Sequence, residues 1–167
     1  MEQIAFINIE NVSEKETGRF KSREAARAIV FDGDNLVAIL HATKTFYYKL
    51  PGGGIEAGET NEMALSRECK EEIGCDVEIV KELGSTLEYR KRYKLKQTSY
   101  CYIAKLKGEK EIPKLEKDEI AEGFETVWLP IDEALKKVIE SKPTIYEGQY
   151  MNARDIALIK HAIKILK

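Results

Sequence analysis

The chain has 167 residues, of which 43% are hydrophobic and 34% charged, and its formal net charge is −2. This composition predicts one globular domain with a sizeable core, and the charge gives no electrostatic case for bulk nucleic-acid binding. No apolar run approaches membrane-spanning length, and the first residues lack a signal peptide's basic start and apolar core. We therefore expect a cytoplasmic protein without membrane partners. Three cysteines without C-x-x-C spacing and two distant histidines disfavour a zinc site and indicate free thiols.

The beginning of the chain differs in character from the rest. Residues 3–12 can form an additional strand, paired either within the chain or against a second subunit. Residues 13–21 are polar and resemble a linker. We therefore expect residues 1–21 to form an N-terminal strand or extension and residues 22–167 to form the main domain.

The main domain alternates between predicted strands and a few predicted helices. Alternating apolar positions and β-branched or aromatic residues predict strands over 25–31, 36–41, 46–50, 77–83, 86–89, 97–106 and 124–128. Apolar positions at helical spacing predict helices over about 61–73, 132–140 and 152–166. A mixed β-sheet with helices on both faces, in the α/β (α+β) class, fits this order of elements.

A glycine loop and the helix after it form one contiguous segment. Residues 51–54 read Pro-Gly-Gly-Gly, which continues neither a helix nor a regular strand and exposes its backbone groups. Thr60 is a suitable N-cap, and Gly74 is a suitable residue to end the helix. Leu65, Cys69 and Ile73 share one stripe, which should face the core.

Three carboxylates lie on the neighbouring arc of this helix, at Glu68, Glu71 and Glu72. Like charges this close repel one another, and a bound cation is the simplest remedy. Hard oxygen ligands suit Mg²⁺ or Mn²⁺. The alternative is an acidic helix face in solvent, but the glycine loop, Glu59 and Arg67 at fixed offsets favour the metal site.

Written as spacing, residues 53–75 read G-x5-E-x7-R-E-C-x-E-E-x-G-C. This segment resembles the Nudix box of the Nudix hydrolase (MutT-like) family, in which a bulky aliphatic residue stands where this chain has Cys69 and Cys75. Cysteine is a small buried hydrophobe, so both thiols are expected to pack rather than react. The resemblance implies an α/β/α sandwich, and hydrolysis of a diphosphate bond within a nucleoside diphosphate linked to another moiety. It leaves open a monomer or a homodimer.

The resemblance also assigns roles to residues. It implies metal ligands at Gly53, Glu68, Glu71 and Glu72. The Gly53 ligand would be its carbonyl, and one of the glutamates, with Glu68 and Glu71 as the catalytic candidates, would serve as general base. It implies that Arg67 orients a catalytic glutamate, with Glu59 as a partner. Some members take the base from outside the box, which adds Glu116, Asp118, Glu119 and Glu122 as candidates; the alternative for these is a solvated acidic loop.

Specificity should lie outside the box. Residues 89–96 combine five basic residues and two tyrosines between two strands, which suits contacts with phosphates and stacking on a base. The alternative is a solvated hairpin. The candidate substrate contacts are Tyr48, Arg90, Arg92, Tyr93 and Glu122.

Three functions remain open at this stage. The first is metal-dependent hydrolysis of a small nucleotide-type substrate, either a nucleoside triphosphate or, next, a dinucleoside polyphosphate or nucleotide sugar. The second is isomerisation of a diphosphate substrate on the same fold. The third is a non-catalytic nucleotide-binding regulatory module, which the intact charged positions of the box argue against.

Overall fold

The computed structural model of the chain describes residues 1–166. The strands are β1 (Gln3–Ile7), β2 (Lys21–Phe31), β3 (Val37–Ala42), β4 (Tyr47–Lys49), β5 (Gly52–Gly54), β6 (Asp76–Arg90), β7 (Leu95–Lys107) and β8 (Phe124–Leu129). The helices are α1 (Glu14–Thr17), α2 (Asn61–Ile73), α3 (Lys117–Glu122), α4 (Ile131–Glu140) and α5 (Tyr146–Leu166). Lys167, the last residue of the predicted main domain, lies outside the described residues. Within residues 1–166, no helix combines the length and the apolar character needed to cross a membrane.

The strands of this part of the chain form one mixed sheet. Its order is β1-β6-β7-β2-β3-β4, while β5 pairs with β2 and β8 pairs with β3. β6 and β7 form an antiparallel hairpin. β2 runs parallel to β7, from Lys21 opposite Leu95 to Phe31 opposite Lys105. The tip of the β6–β7 hairpin therefore lies beside the start of β2.

Helices cover both faces of the sheet, because alternate residues of a strand point to opposite sides. On one face, Ala26 of β2 belongs to a core that includes Leu65 of α2. On the other face, Ile29 of β2 belongs to a core that includes Val138 of α4 and Leu158 of α5. The predicted mixed sheet and α/β/α sandwich are confirmed.

The helix of the glycine-rich segment has the predicted ends. The Thr60 side chain accepts a hydrogen bond from the N–H of Met63 as N-cap, and Gly74 ends the helix with φ of +65°. Cys69 and Cys75 are fully buried, as the packing interpretation predicted. Burial raises the pKa of both thiols, which disfavours the reactive thiolate.

The N-terminal extension is more ordered than a linker. β1 ends at Ile7 and runs parallel to β6 of the same chain, so it pairs within the subunit. Residues 14–17 form a short helix because Ser13 and Glu16 make a reciprocal capping box. The prediction of a polar linker over residues 13–21 is therefore wrong for this turn.

Several elements are longer than predicted, and β2, for example, begins at Lys21 rather than at residue 25. β6 is one continuous strand that includes both predicted strands, 77–83 and 86–89. Its pairing with β7 shifts register at irregularities of the β-bulge type. α5 begins at Tyr146, about six residues before the predicted start. α3 was not predicted as a helix.

Candidate active site

The glycine loop brings backbone and carboxylate groups into direct contact. Gly52 has φ of +126°, and a Cβ there would lie 2.1 Å from the carbonyl oxygen of Ala26. Only glycine fits that position. A Cβ on Gly53 would lie 2.3 Å from the carboxyl group of Glu68. The loop therefore leaves room for a carboxylate against its own backbone.

Arg67 ties the loop and the helix α2 together. Its Nε and Nη2 donate to the two carboxylate oxygens of Glu59, at 2.8 and 2.9 Å. Its Nη1 donates to Glu68 at 2.8 Å, and its Nη2 also donates to the carbonyl oxygen of Gly54 at 3.0 Å. The hydrogen bonds from Arg67 lower the pKa of Glu59 to about 2. Glu59 thus remains an anion that orients Arg67, and Arg67 in turn orients Glu68.

Glu72 is held in the interior by a lysine that sequence reasoning did not include in the site. The Glu72 carboxylate accepts hydrogen bonds from Lys49 Nζ at 2.5 Å and from the N–H of Gly52 at 2.6 Å. Its side chain is only 2% exposed and that of Lys49 8%. Glu72 therefore lies under the glycine loop rather than on an outer arc of the helix. The only sequence signal for Lys49 was its place in a strand just before the loop.

Glu119 of α3 adds a carboxylate from outside α2 to this site, beside Glu72. Burial raises the pKa of Glu119 to about 7; the backbone N–H of Glu116 opposes the shift and the charge of Glu72 adds to it. Burial, followed by the charge of Glu72, also raises the pKa of Glu68, while Arg67 opposes that shift. Glu68, Glu72 and Glu119 therefore crowd negative charge into a partly dry region.

This crowding fits a divalent cation. Carboxylates and a backbone carbonyl provide the hard oxygen atoms that Mg²⁺ and Mn²⁺ prefer. Within residues 1–166, no three His, Cys, Asp or Glu side chains are already gathered around one point. Lys49 and Arg67 instead pair with Glu72 and Glu68 as counterions. The partly exposed carboxylate of Glu71 lies 3.5 Å from Arg67 Nη1.

Asp155 of α5 binds the backbone just before the glycine loop. Asp155 Oδ2 accepts the N–H of Leu50 at 2.9 Å, just before the loop. Its Oδ1 accepts from Arg154 Nε at 2.7 Å, and Arg154 Nη1 lies 3.5 Å from Glu88. All three charged residues are fully buried. Sequence reasoning missed Asp155, because 105 residues separate it from Leu50 and no local pattern connects them.

The acidic candidates near α3 separate into different roles. Glu116 caps α3 through its reciprocal bonds with Glu119. Asp118 is exposed. Glu122 accepts hydrogen bonds from Thr45 and Tyr47, both at 2.9 Å. Glu119 is the candidate from this group that lies against Glu72.

Two of the predicted substrate contacts are revised by the structure. Tyr48 lies on the α4 side of the sheet, with its ring stacked on His41 at 4.2 Å, so it faces away from α2. Arg90 is buried, and its guanidinium donates to Glu88 at 2.8 and 2.6 Å. Tyr48 therefore lies on the face of the sheet opposite α2, and the buried guanidinium of Arg90 is occupied by Glu88. The neighbour of Tyr48, Tyr47, packs on the α2 side of the sheet and is buried.

Two of the three remaining candidates, Arg92 and Tyr93, lie at the exposed tip of the β6–β7 hairpin. Arg92 lies over the ring of Tyr146 at 4.3 Å, and the hydroxyl of Tyr93 donates to Glu147. Burial raises the pKa of Tyr47, and the charges of Glu122, Glu147 and Glu72 raise it further. Arg92 and Tyr93 thus anchor the tip on the start of α5.

Comparisons with known proteins agree with this geometry. A family model described as the NUDIX domain matches residues 21–148. An RNA pyrophosphohydrolase from Sulfurovum sp. is 38% identical over 108 residues, which cover 59% of this chain and 68% of that protein. An RNA pyrophosphohydrolase from Alkalilimnicola ehrlichii is 30% identical over 112 residues, covering 59% of this chain and 62% of that protein, less than two thirds of its length.

The fold is also found among solved structures. The solution structure of the E. coli ORF135 protein superposes with a TM-score of 0.62 and covers 89% of this chain and 93% of its own. At 18% identity, this likeness supports the fold alone. The matched family region begins at the first residue of β2, so β1 and α1 precede it.

Proposed function

The chain belongs to the Nudix family and is a hydrolase of phosphoric anhydride bonds, and we propose that it cleaves a diphosphate bond in the 5′-polyphosphate of a nucleotide. The observation that carries this proposal is the Glu68 carboxylate, which Arg67 holds directly against the backbone of Gly53. Such an arrangement presents preorganised oxygen ligands to a divalent cation, which would in turn bind the oxygens of a phosphate chain. Preorganised charge is the largest single contribution to many phosphoryl-transfer reactions.

The family generally needs a divalent metal, and we propose Mg²⁺ or Mn²⁺ as the ion. The residues that would hold it are Gly53, Glu68, Glu71 and Glu72. A bound ion of this kind neutralises phosphate oxygens and lowers the pKa of water. The protein's own contribution is to fix the ligands: Arg67 orients Glu68, and Gly52 and Lys49 hold Glu72.

For the general base we propose Glu119. Among residues 1–166, it makes no ion pair within 4.0 Å, whereas Glu68 and Glu72 each have a cationic partner. Its pKa of about 7 supports this role, because a base works best with a pKa near the operating pH. Glu68 remains the alternative, since its carboxyl group lies directly against Gly53.

The substrate we favour carries a chain of phosphates at the 5′ position. A nucleoside triphosphate and the 5′ end of an RNA share that chemistry, and the names of the two relatives support the RNA end. Dinucleoside polyphosphates and nucleotide sugars are the next candidates. We place the activity in the cytoplasm, consistent with three free cysteines.

A substrate screen with product masses tests this function. The panel holds nucleoside triphosphates, a 5′-triphosphorylated RNA, a dinucleoside polyphosphate and a nucleotide sugar, each with Mg²⁺, Mn²⁺ or EDTA. We expect EDTA-sensitive cleavage of a 5′-polyphosphate, and loss of that cleavage in Glu68→Gln. Products of unchanged mass would indicate isomerisation, and binding without turnover would indicate a regulatory module.

A further inference from the structure

The interior of the protein contains one more cation than carboxylate. Among residues 1–166, four cationic side chains and three carboxylates are buried. Each buried carboxylate has a cation of its own, and the three ion pairs are Lys49–Glu72 at 2.5 Å, Arg90–Glu88 at 2.6 Å and Arg154–Asp155 at 2.7 Å. The fourth cation, Arg27, has no carboxylate within 4.0 Å in this part of the chain. Arg27 therefore carries the surplus positive charge.

The guanidinium of Arg27 is costly where it lies. Arg27 is 3% exposed, and its Nε and Nη1 atoms have no hydrogen-bond partner within residues 1–166. A charge that is buried without a partner loses its hydration and gains nothing in return. Burial, followed by the charge of Arg154, lowers the pKa of Arg27 to about 10, while the charge of Glu72 opposes the shift. Arg27 thus remains a cation at neutral pH.

Arg27 lies directly behind the glycine loop. It pairs with Gly52 across β2 and β5, and a Cβ on Gly52 would lie 2.9 Å from the Cα of Arg27. Its side chain shares the α5 face of the sheet with Ile29, two residues later in β2, whereas α2 packs on the opposite face. Burial raises the pKa of Glu68, and the charge of Arg27 is among the effects that oppose this rise. The charge of Arg27 therefore acts on the site through the loop.

A divalent cation bound by the carboxylates does not compensate this charge. Like charges repel, so Arg27 opposes the binding of a metal ion by itself. A polyphosphate carries several negative charges and, under the proposed function, lies against the glycine loop. Charges that interact through a partly dry protein interior attract one another more strongly than they do in water. The phosphate chain of the substrate is therefore the partner that suits the surplus cation.

We propose that Arg27 is a positioning residue for the substrate, whose uncompensated charge acts through the glycine loop and holds the phosphate chain against Gly52 and Gly53. The proposal rests on the proposed function and adds to the site a residue outside the box. It has two consequences. Arg27 destabilises the protein in the absence of substrate and strengthens the complex with substrate. Because the phosphate chain is charged in the ground state as well as in the transition state, Arg27 acts mainly on KM and little on kcat.

Thermal unfolding of Arg27→Met in EDTA tests the first consequence. Methionine is a flexible apolar side chain that fills irregular space in a core without carrying a charge. We expect the Tm of Arg27→Met to equal or exceed that of the wild type. Arg90→Met is the contrast, because it leaves Glu88 without its closer cation and should lower the Tm. An Arg27→Met protein that unfolds at a lower temperature than the wild type, or that does not fold, would overturn the proposal.

Calorimetry tests the second consequence with a probe that has no base, an inorganic triphosphate analogue with methylene groups in place of the bridging oxygens. With Mg²⁺ present, we expect Arg27→Met to bind the probe about tenfold more weakly than the wild type. Arg27→Lys keeps the charge and should remain within about threefold of the wild-type affinity. The affinity for Mn²⁺ alone should not decrease in Arg27→Met. Equal affinities of Arg27→Met and the wild type for the probe, or a wild type that does not bind it, would overturn the proposal. A joint loss of Mn²⁺ and probe affinity would also overturn it, because Arg27 would then only maintain the shape of the loop.

Turnover separates the role of Arg27 from the proposed function. For a substrate that the wild type hydrolyses, we expect the KM of Arg27→Met to rise about tenfold and its kcat to stay within about threefold of the wild-type value. Hydrolysis with equal KM values in the two proteins would overturn the role of Arg27 and leave the proposed function standing. Weaker binding of the probe by Arg27→Met, without hydrolysis of any substrate by the wild type, would support the role of Arg27 and refute the proposed function.

Discussion

Glu72→Gln separates the structural role of this residue from its role as a metal ligand. From the helix pattern alone, removing one of three adjacent carboxylates should relieve repulsion and leave the fold intact. In the structure, the change instead leaves the ammonium of Lys49 buried without its anion. Removing one partner of a buried ion pair costs about 3–5 kcal/mol. The amide oxygen of glutamine still accepts from Gly52, and relief of repulsion on Glu68 offsets part of the cost.

The net expectation is a loss of about 3 kcal/mol in the free energy of unfolding. For a chain of this size that corresponds to a decrease in Tm of about 6–12 °C, at about 2–4 °C per kcal/mol. The assay is urea unfolding in EDTA, so that no metal contributes to stability. Glu71→Gln is the matched control: it makes the same chemical change one residue earlier on a partly exposed side chain, with an expected effect within about 0.5 kcal/mol.

A double variant checks the cause of the destabilisation. Lys49→Met/Glu72→Gln removes both charges, and replacing a buried pair as a whole is close to neutral. We expect the double variant to recover most of the lost stability. If Glu72→Gln is as stable as Glu71→Gln, the buried ion pair does not hold the loop, and the reasoning from Lys49 is refuted.

Three further predictions concern the supports of the site. Arg67→Lys should lower kcat by about 100-fold, because a single ammonium cannot replace the planar guanidinium that binds both Glu59 and Glu68. A kcat within threefold of the wild-type value would contradict this prediction. Asp155→Asn should weaken Mn²⁺ binding in calorimetry, since Asp155 fixes the N–H of Leu50 before the loop; unchanged Mn²⁺ affinity would show that this support is not needed. Glu119→Gln should flatten the pH dependence of Tm in EDTA. Because the folded pKa of Glu119, about 7, exceeds the usual 4.5, the folded state binds the extra proton and wild-type stability falls as pH rises from about 4.5 to 7. A wild-type Tm that does not decrease relative to the variant over this range would contradict the raised pKa.

Local patterns predicted the part of the site that lies on one continuous segment. The ends of α2 follow from Thr60 and Gly74, whose capping roles depend only on neighbouring residues. The pairing of Arg67 with Glu59 follows from their spacing across one loop and two helical turns. Such short-range geometry is fixed by the helical repeat and needs no knowledge of the remaining fold.

Contacts between distant segments were beyond the sequence patterns. Lys49 and Asp155 reach the loop from a strand and from the last helix, and their pairing depends on the register of the sheet. The wrong prediction of a substrate contact at Tyr48 has the same origin. Successive residues of a strand face opposite sides of the sheet, so a shift of one position moves a side chain from the α2 face to the α4 face. Arg90 was expected on the surface because no local pattern indicates its burial. It is buried because it pairs with Glu88 and packs against Tyr150 of α5, a helix much later in the chain.

Hydrolysis in oxygen-18-labelled water tests the central claim most directly. The wild-type protein is given a 5′-triphosphorylated substrate with Mg²⁺, and the phosphate products are analysed by mass. Metal-dependent hydrolysis predicts one labelled oxygen in one product for each turnover, and no product when EDTA is present. Turnover without incorporation of the label, or turnover that persists in EDTA, would contradict the account of this site as a metal-dependent hydrolase.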